Sequence, residues 1–133
     1  MSDTNDKGSE ALLRAFIKVG ETLRQVADAC RSSPVVSAVQ TNFDFRDYSG
    51  RLTFEACTDA ELRTGSGLSW WFELSYNGPR WNLNASVNRV TGSGQDTVLE
   101  FADFEDSTLE GALDRFDAIL IAMRQSVDKV LSA

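Results

Sequence analysis

The amino-acid sequence predicts an α+β domain: a five-stranded antiparallel meander with an N-terminal and a C-terminal helix packed on one face of the sheet. Three observations predict it. Apolar residues recur at alternating steps of four and three before Pro34 and again after Asp106, the spacing of one helix face. Between those segments the apolar period falls to two, the spacing of one sheet face. Turn-forming clusters around Gly50, Gly65, Gly78 and Gly92 divide that middle region into strands of similar length. The 133 residues, 42% of them hydrophobic, make one domain that can bury about two-thirds of its unfolded surface without a disulfide or a metal.

The elements follow in chain order. Residues 1–8 are polar and read as a disordered lead that ends at Gly8, leaving 9–133 as the single domain. Ser9 is a candidate N-cap, and Leu12, Phe16, Val19, Leu23, Val26 and Cys30 form one stripe to about Arg31. Pro34 ends the helix, because proline has no N–H to donate and its ring clashes with the preceding turn. Gly20 weakens this helix by about 1 kcal/mol relative to Ala, which points to close packing against a strand.

In the first strand Val35, Val39, Phe43 and Phe45 share one face, and Gln40, Asn42, Asp44 and Arg46 the other; Asp47-Tyr48-Ser49-Gly50 is a turn. The second strand sends Leu52, Phe54 and Ala56 inward and Thr53, Glu55 and Cys57 outward, before a charged loop over 58–67. In the third, Leu68, Trp70, Phe72, Leu74 and Tyr76 alternate with outward Ser69, Trp71, Glu73 and Ser75. Asn77-Gly78 signals a hairpin, and Pro79 favours a connection longer than two residues. The short loop pairs Leu74 with Trp81, the longer one Leu74 with Leu83, and Trp71 then lies opposite Asn84 or Ser86.

The fourth strand puts Trp81, Leu83, Ala85 and Val87 inward and Arg80, Asn82, Asn84, Ser86 and Asn88 outward. A turn over 91–96 leads to a last strand with Leu99 and Phe101 inward, ending near Phe104. The second helix opens at Asp106 or Ser107 with a capping box, Ser107-x-x-Glu110. Its stripe runs through Leu109, Leu113, Phe116, Leu120, Met123, Val127 and Val130.

The chain contains no histidine, which removes the usual base for a serine or cysteine nucleophile and the commonest transition-metal ligand. Cys30 lies on a buried stripe and Cys57 on the outward face, so they are not expected to form a disulfide. Thr-Gly-Ser-Gly occurs at 64–67 and again at 91–94, but each copy enters a strand and lacks the lysine of a phosphate-binding loop. The acidic group Asp103, Glu105, Asp106 and Glu110 suits a helix N-terminus rather than a calcium loop. Glu55, Glu73 and Glu100 project from an open face that does not exclude water from a carboxylate pair. The expectation is no catalytic residue, no metal and no cofactor: the chain is not read as an enzyme.

Thirteen basic against twenty acidic residues give a net charge of −7. Such a surface repels phosphate backbones and anionic lipid heads, so neither nucleic acid nor membrane is an expected partner. The acidic start is unlike a targeting peptide, and the longest apolar run, residues 118–123, is far shorter than a membrane span. The cytoplasm is the expected location.

The outward sheet face carries the functional expectation. Asparagine is a poor strand former, yet the fourth strand sends three of them outward beside Trp71. Trp71, Glu73, Arg80, Asn82, Asn84 and Ser86 are therefore the candidate partner-binding residues, Trp71 being the anchor and the partner a protein, with a basic surface favoured. In organisation and charge the layout is similar to small bacterial toxin-immunity proteins and secretion chaperones, which neutralise or hold a partner without chemistry. Two alternatives stand beside it. A small ligand or substrate would sit between sheet and helices among Trp70, Trp81, Phe43, Phe54 and Phe72; or the sheet face would close a homodimer.

Overall fold

Five antiparallel strands form one open sheet in the order β1-β2-β3-β4-β5, each paired with its neighbour in sequence. The computed structural model describes residues 2–48, 50–78 and 80–132, with side chains described from Glu10 onward, Tyr48 apart. The elements are α1 (Ser2–Arg31), β1 (Val36–Tyr48), β2 (Arg51–Leu62), β3 (Gly67–Asn77), β4 (Arg80–Thr91), β5 (Gly94–Asp106), α2 (Leu109–Leu113) and α3 (Phe116–Ser132). Both long helices pack on the same side of the sheet, as the two apolar stripes require.

The core lies between that side and the helices. Val19, Leu23 and Val26 from α1 meet Trp70, Phe72, Leu83 and Val87 from the sheet and Met123 and Val127 from α3, all fully buried. Two polar clasps cross the layer. The Trp70 indole Nε1 donates to Ser126 Oγ at 3.0 Å, and Ser126 Oγ donates to the Met123 carbonyl at 2.7 Å. The Thr58 hydroxyl donates to the Leu23 carbonyl at 2.9 Å. Its one proton being used there, Thr41 must be the donor in the 3.1 Å contact between the two threonines. A Cβ on Gly20 would lie 3.5 Å from the Phe43 ring, so α1 comes down onto β1 at the glycine.

The structure moves several boundaries. α1 begins at Ser2, ahead of the Ser9 cap read from the sequence. Val36, not Val35, is the buried residue opening β1, because the register with β2 shifts between Val36 and Ala38. β2 does not stop at Cys57. Thr58, Ala60 and Leu62 continue its alternation, and the loop expected over 58–67 contracts to 63–66. The turn expected over 91–96 contracts likewise, with Thr91 paired to Gly94.

At the first hairpin the Gly50 N–H donates to Asp47 Oδ1 at 2.7 Å, and Gly50 adopts φ +90°, open to glycine at little cost. At the third, Leu74 pairs with Leu83, the register expected of the longer loop, but Asn77 also pairs with Arg80, so residues 78–79 alone connect the strands and the connection is two residues, shifted by one from Asn77-Gly78. The C-terminal stripe is one face but two helices. Thr108 rather than Ser107 is the N-cap, accepting from the Gly111 N–H at 3.0 Å. The chain then bends at Asp114–Arg115, where the Arg115 N–H donates to Ala112 O, three residues back instead of four. The bend lays the Arg115 guanidinium over the Phe104 ring, 4.2 Å from its centroid.

Candidate functional site

Strand alternation sends every second side chain of β1 to β4 to the helix-free face, a register shift does so for Glu100 and Asp103 three residues apart on β5, and the registers arrange them in rows across all five strands. One row is Asn42, Cys57, Trp71, Ser86 and Glu100. The next is Asp44, Glu55, Glu73, Asn84 and Asp103, and the third Arg46, Thr53, Ser75, Asn82 and Glu105. Four of the five positions in the middle row are carboxylates, and Glu55 and Glu73 stand directly opposite one another.

Trp71, Glu73, Asn84 and Ser86 therefore come together on adjoining strands and rows, with Asn82 one row further on. Arg80 does not join them. It pairs with Asn77 at the hairpin end of the sheet, where it forms an exposed ion pair with Glu105 at 3.6 Å. Trp71 is half-buried and forms one wall of a groove of about 320 Å³, with Asn42, Asp44, Arg46, Glu55 and Cys57 around it.

Glu73 is the buried charge of this face, only 8% exposed. The Arg51 guanidinium lies 3.5 Å from its Oε1 and 3.2 Å from Ser75 Oγ. Burial holds the Glu73 carboxyl above its ordinary pKa; Arg51 pulls it back, the Glu55 carboxyl pushes it further up, and the Asn84 side chain hydrogen-bonds the anion. Asp44 is ion-paired with Arg46 on its own strand. Arg51 Nε and Thr53 Oγ1 are buried on the same face and have no hydrogen-bond partner among the described residues. Sequence reasoning leaves Asp44, Asp103 and Arg51 out of the site, because their place in it depends on how β1, β2 and β5 register with their neighbours. The alternation that turns Asp44 outward is the one signal that could have found it.

Both cysteines are free, and neither is an activated thiol. Burial pushes Cys30 up to about 11, and burial with the Asp59 carboxylate beside it pushes Cys57 up to about 11. Among the described residues no group of three or more Cys, Asp or Glu is disposed to hold a metal ion. None of the described helices is long and apolar enough to cross a membrane.

The inward aromatics do not share one cavity. Trp70 and Phe72 are fully buried and Phe54 nearly so, filling the centre of the core. An open apolar pocket of about 390 Å³ remains at the β1–β2 hairpin end, between α1 and the sheet, walled by Phe16, Phe45, Leu52, Phe54, Tyr76 and Trp81. No family model, curated protein or solved structure matches the chain.

Proposed function

We propose that the chain is a non-enzymatic protein-binding module whose helix-free sheet face receives a basic surface of a partner, in the manner of an adaptor, a chaperone or a toxin-neutralising protein. The row Asp44–Glu55–Glu73–Asn84–Asp103 carries this reading. Like charges directly opposite on neighbouring strands are destabilising, and burying one of them adds to the cost. A partner's guanidinium or ammonium groups laid along the row would relieve both. Trp71 beside it supplies the apolar anchor, Asn82, Asn84 and Ser86 supply hydrogen-bonding edges, and Arg80 marks the rim. The free thiols suit a reducing compartment, so we place the protein in the cytoplasm.

The rival readings fare less well on the same observations. A glycosidase works in a site that closes over the sugar and expels water, whereas Glu55 and Glu73 stand opposite one another on a sheet face that no helix covers. A face-to-face homodimer would press two copies of the acidic row together. The pocket beside Phe45 is mostly apolar, with Arg46, Asp47, Thr53 and Tyr76 among its walls, and favours a small apolar ligand.

Affinity capture from extract of the source cell, comparing wild type with Trp71→Ala, tests the proposal. A basic protein should be retained by wild type, lost by Trp71→Ala, and released from wild type in about 1 M salt, where the Debye length falls to about 3 Å. Equal retention by the two proteins would sink it.

A further inference from the structure

We infer that a second copy of this chain pairs with β1 at the open edge of the sheet, joining two sheets into one of ten strands. The two edges are built differently. β5 carries Asp96, Glu100, Asp103, Glu105 and Asp106, and its register with β4 breaks twice, between Ala85 and Ser86 and between Val87 and Asn88. Charges and bulges of that kind keep an edge from pairing with another strand. β1 gathers its three charges, Asp44, Arg46 and Asp47, at one end and has neither a charge nor an irregularity from Ala38 to Phe43. It runs for 13 residues, is free of charge from Val36 to Phe43, contains no proline, and its one irregularity lies between Val36 and Ala38.

The flank of α1 beside this edge is apolar as well. Leu13 and Ile17, one helical turn apart, are 62% and 60% exposed. They adjoin Phe16 and Gly20, whose contacts are the exposed rings of β1: Phe43 lies against Gly20, and the Phe45 ring centroid is 5.4 Å from that of Phe16. Phe43 is 45% and Phe45 67% exposed, so helix flank and strand edge form one apolar band. With large side chains presenting roughly 200 Å² each, the four leave on the order of 400 Å² per copy to be covered. Two such bands, with the strand edges and neighbouring Val35 and Val39, approach the ~1,200 Å² at which specific interfaces begin.

The occupant follows from that shape. An extended peptide would pair with β1 but leave Leu13 and Ile17 in water. A second copy related by a two-fold axis brings a strand and a helix flank together, edge to edge and helix to helix, because a two-fold contact uses the same patch on both sides. The helix-free faces stay open, so this pairing goes beyond the proposed function and stands without it.

Sedimentation velocity on the full chain tests the inference. Wild type is expected at twice 14.7 kDa. Leu13→Lys and Ile17→Lys should each sediment as folded monomers with unchanged circular dichroism, their dissociation constants raised roughly a hundredfold because each buries an unpaired ammonium in the contact. Ile121→Lys, at a 56% exposed position on α3, should leave the dimer intact. Amides of residues 36–48 should exchange more slowly in wild type than in Ile17→Lys. A wild type monomeric at about 100 µM, a dimer that survives both lysines or breaks with Ile121→Lys, or β1 amides exchanging equally fast in both proteins would each overturn the inference.

Discussion

Glu73 occupies a position that strand alternation alone assigns to the helix-free face, opposite Glu55. Its neighbours enclose it, and burial raises its pKa further than Arg51 and Asn84 lower it. The native state therefore holds this proton more tightly than the unfolded chain does. Such a group favours the fold at low pH and disfavours it progressively as pH rises from the unfolded pKa through the native one. Glu73→Gln keeps the shape and removes the titration. At pH 7 the variant should be more stable than wild type by about 0.5–1 kcal/mol, the size of a like-charge cross-strand pair. The advantage should fade as pH falls below the ordinary glutamate range near 4.5. Urea unfolding from pH 4 to 7 checks the sign: an advantage growing toward acid would mean that Arg51 outweighs burial.

At the scale of elements, α3 is fastened to β3 by one buried polar contact inside an apolar layer. The Trp70 indole N–H has Ser126 Oγ as its partner, and the serine passes its own proton to the Met123 carbonyl. Ser126→Ala leaves the indole donor buried and unpaired, so it should cost about 1–3 kcal/mol in spite of the better helix propensity of alanine. The exposed Ser132→Ala should change stability by less than about 0.5 kcal/mol. Chemical denaturation of the two variants separates an orphaned donor from a generic helix effect. That clasp was hidden in the sequence, since alternation puts Trp70 inward and the helix spacing allows Ser126 beside Val127, but neither says that they meet. The faces of β2, β3 and β4 were legible, because a one-residue slip would turn every apolar side chain to water; the irregularities that bury Val36 on β1 and put Glu100 and Asp103, three residues apart, on one face of β5 were not. The carboxylate row was only half legible. Glu55 and Glu73 were both read as outward, but their pairing depends on β2 continuing through Thr58, Ala60 and Leu62, where acidic neighbours mimic a loop. The bend at Asp114–Arg115 was not legible, as the apolar stripe continues through it without a break.

At the scale of the whole molecule, the sheet offers an acidic face and an apolar edge, and charge keeps their uses apart. Each copy carries a net −7, which opposes any association that does not separate the acidic surfaces. Joining at β1 brings the Asp44 end of each row to the seam, where Arg46 on the same strand ion-pairs with it, and places the two carboxylate-rich β5 strands at opposite ends of a ten-stranded sheet. Nine inter-strand spacings of about 4.8 Å put them roughly 43 Å apart, several times the ~8 Å Debye length at physiological salt. The two surfaces should therefore fail independently. Trp71→Ala should remain dimeric while losing the basic partner, and Ile17→Lys should be monomeric while still binding one partner per chain. Light scattering of the isolated complexes gives both stoichiometries in one measurement. If Ile17→Lys also lost the partner, the binding surface would have to cross the two-fold axis, and an acidic face complete within each copy would no longer account for it.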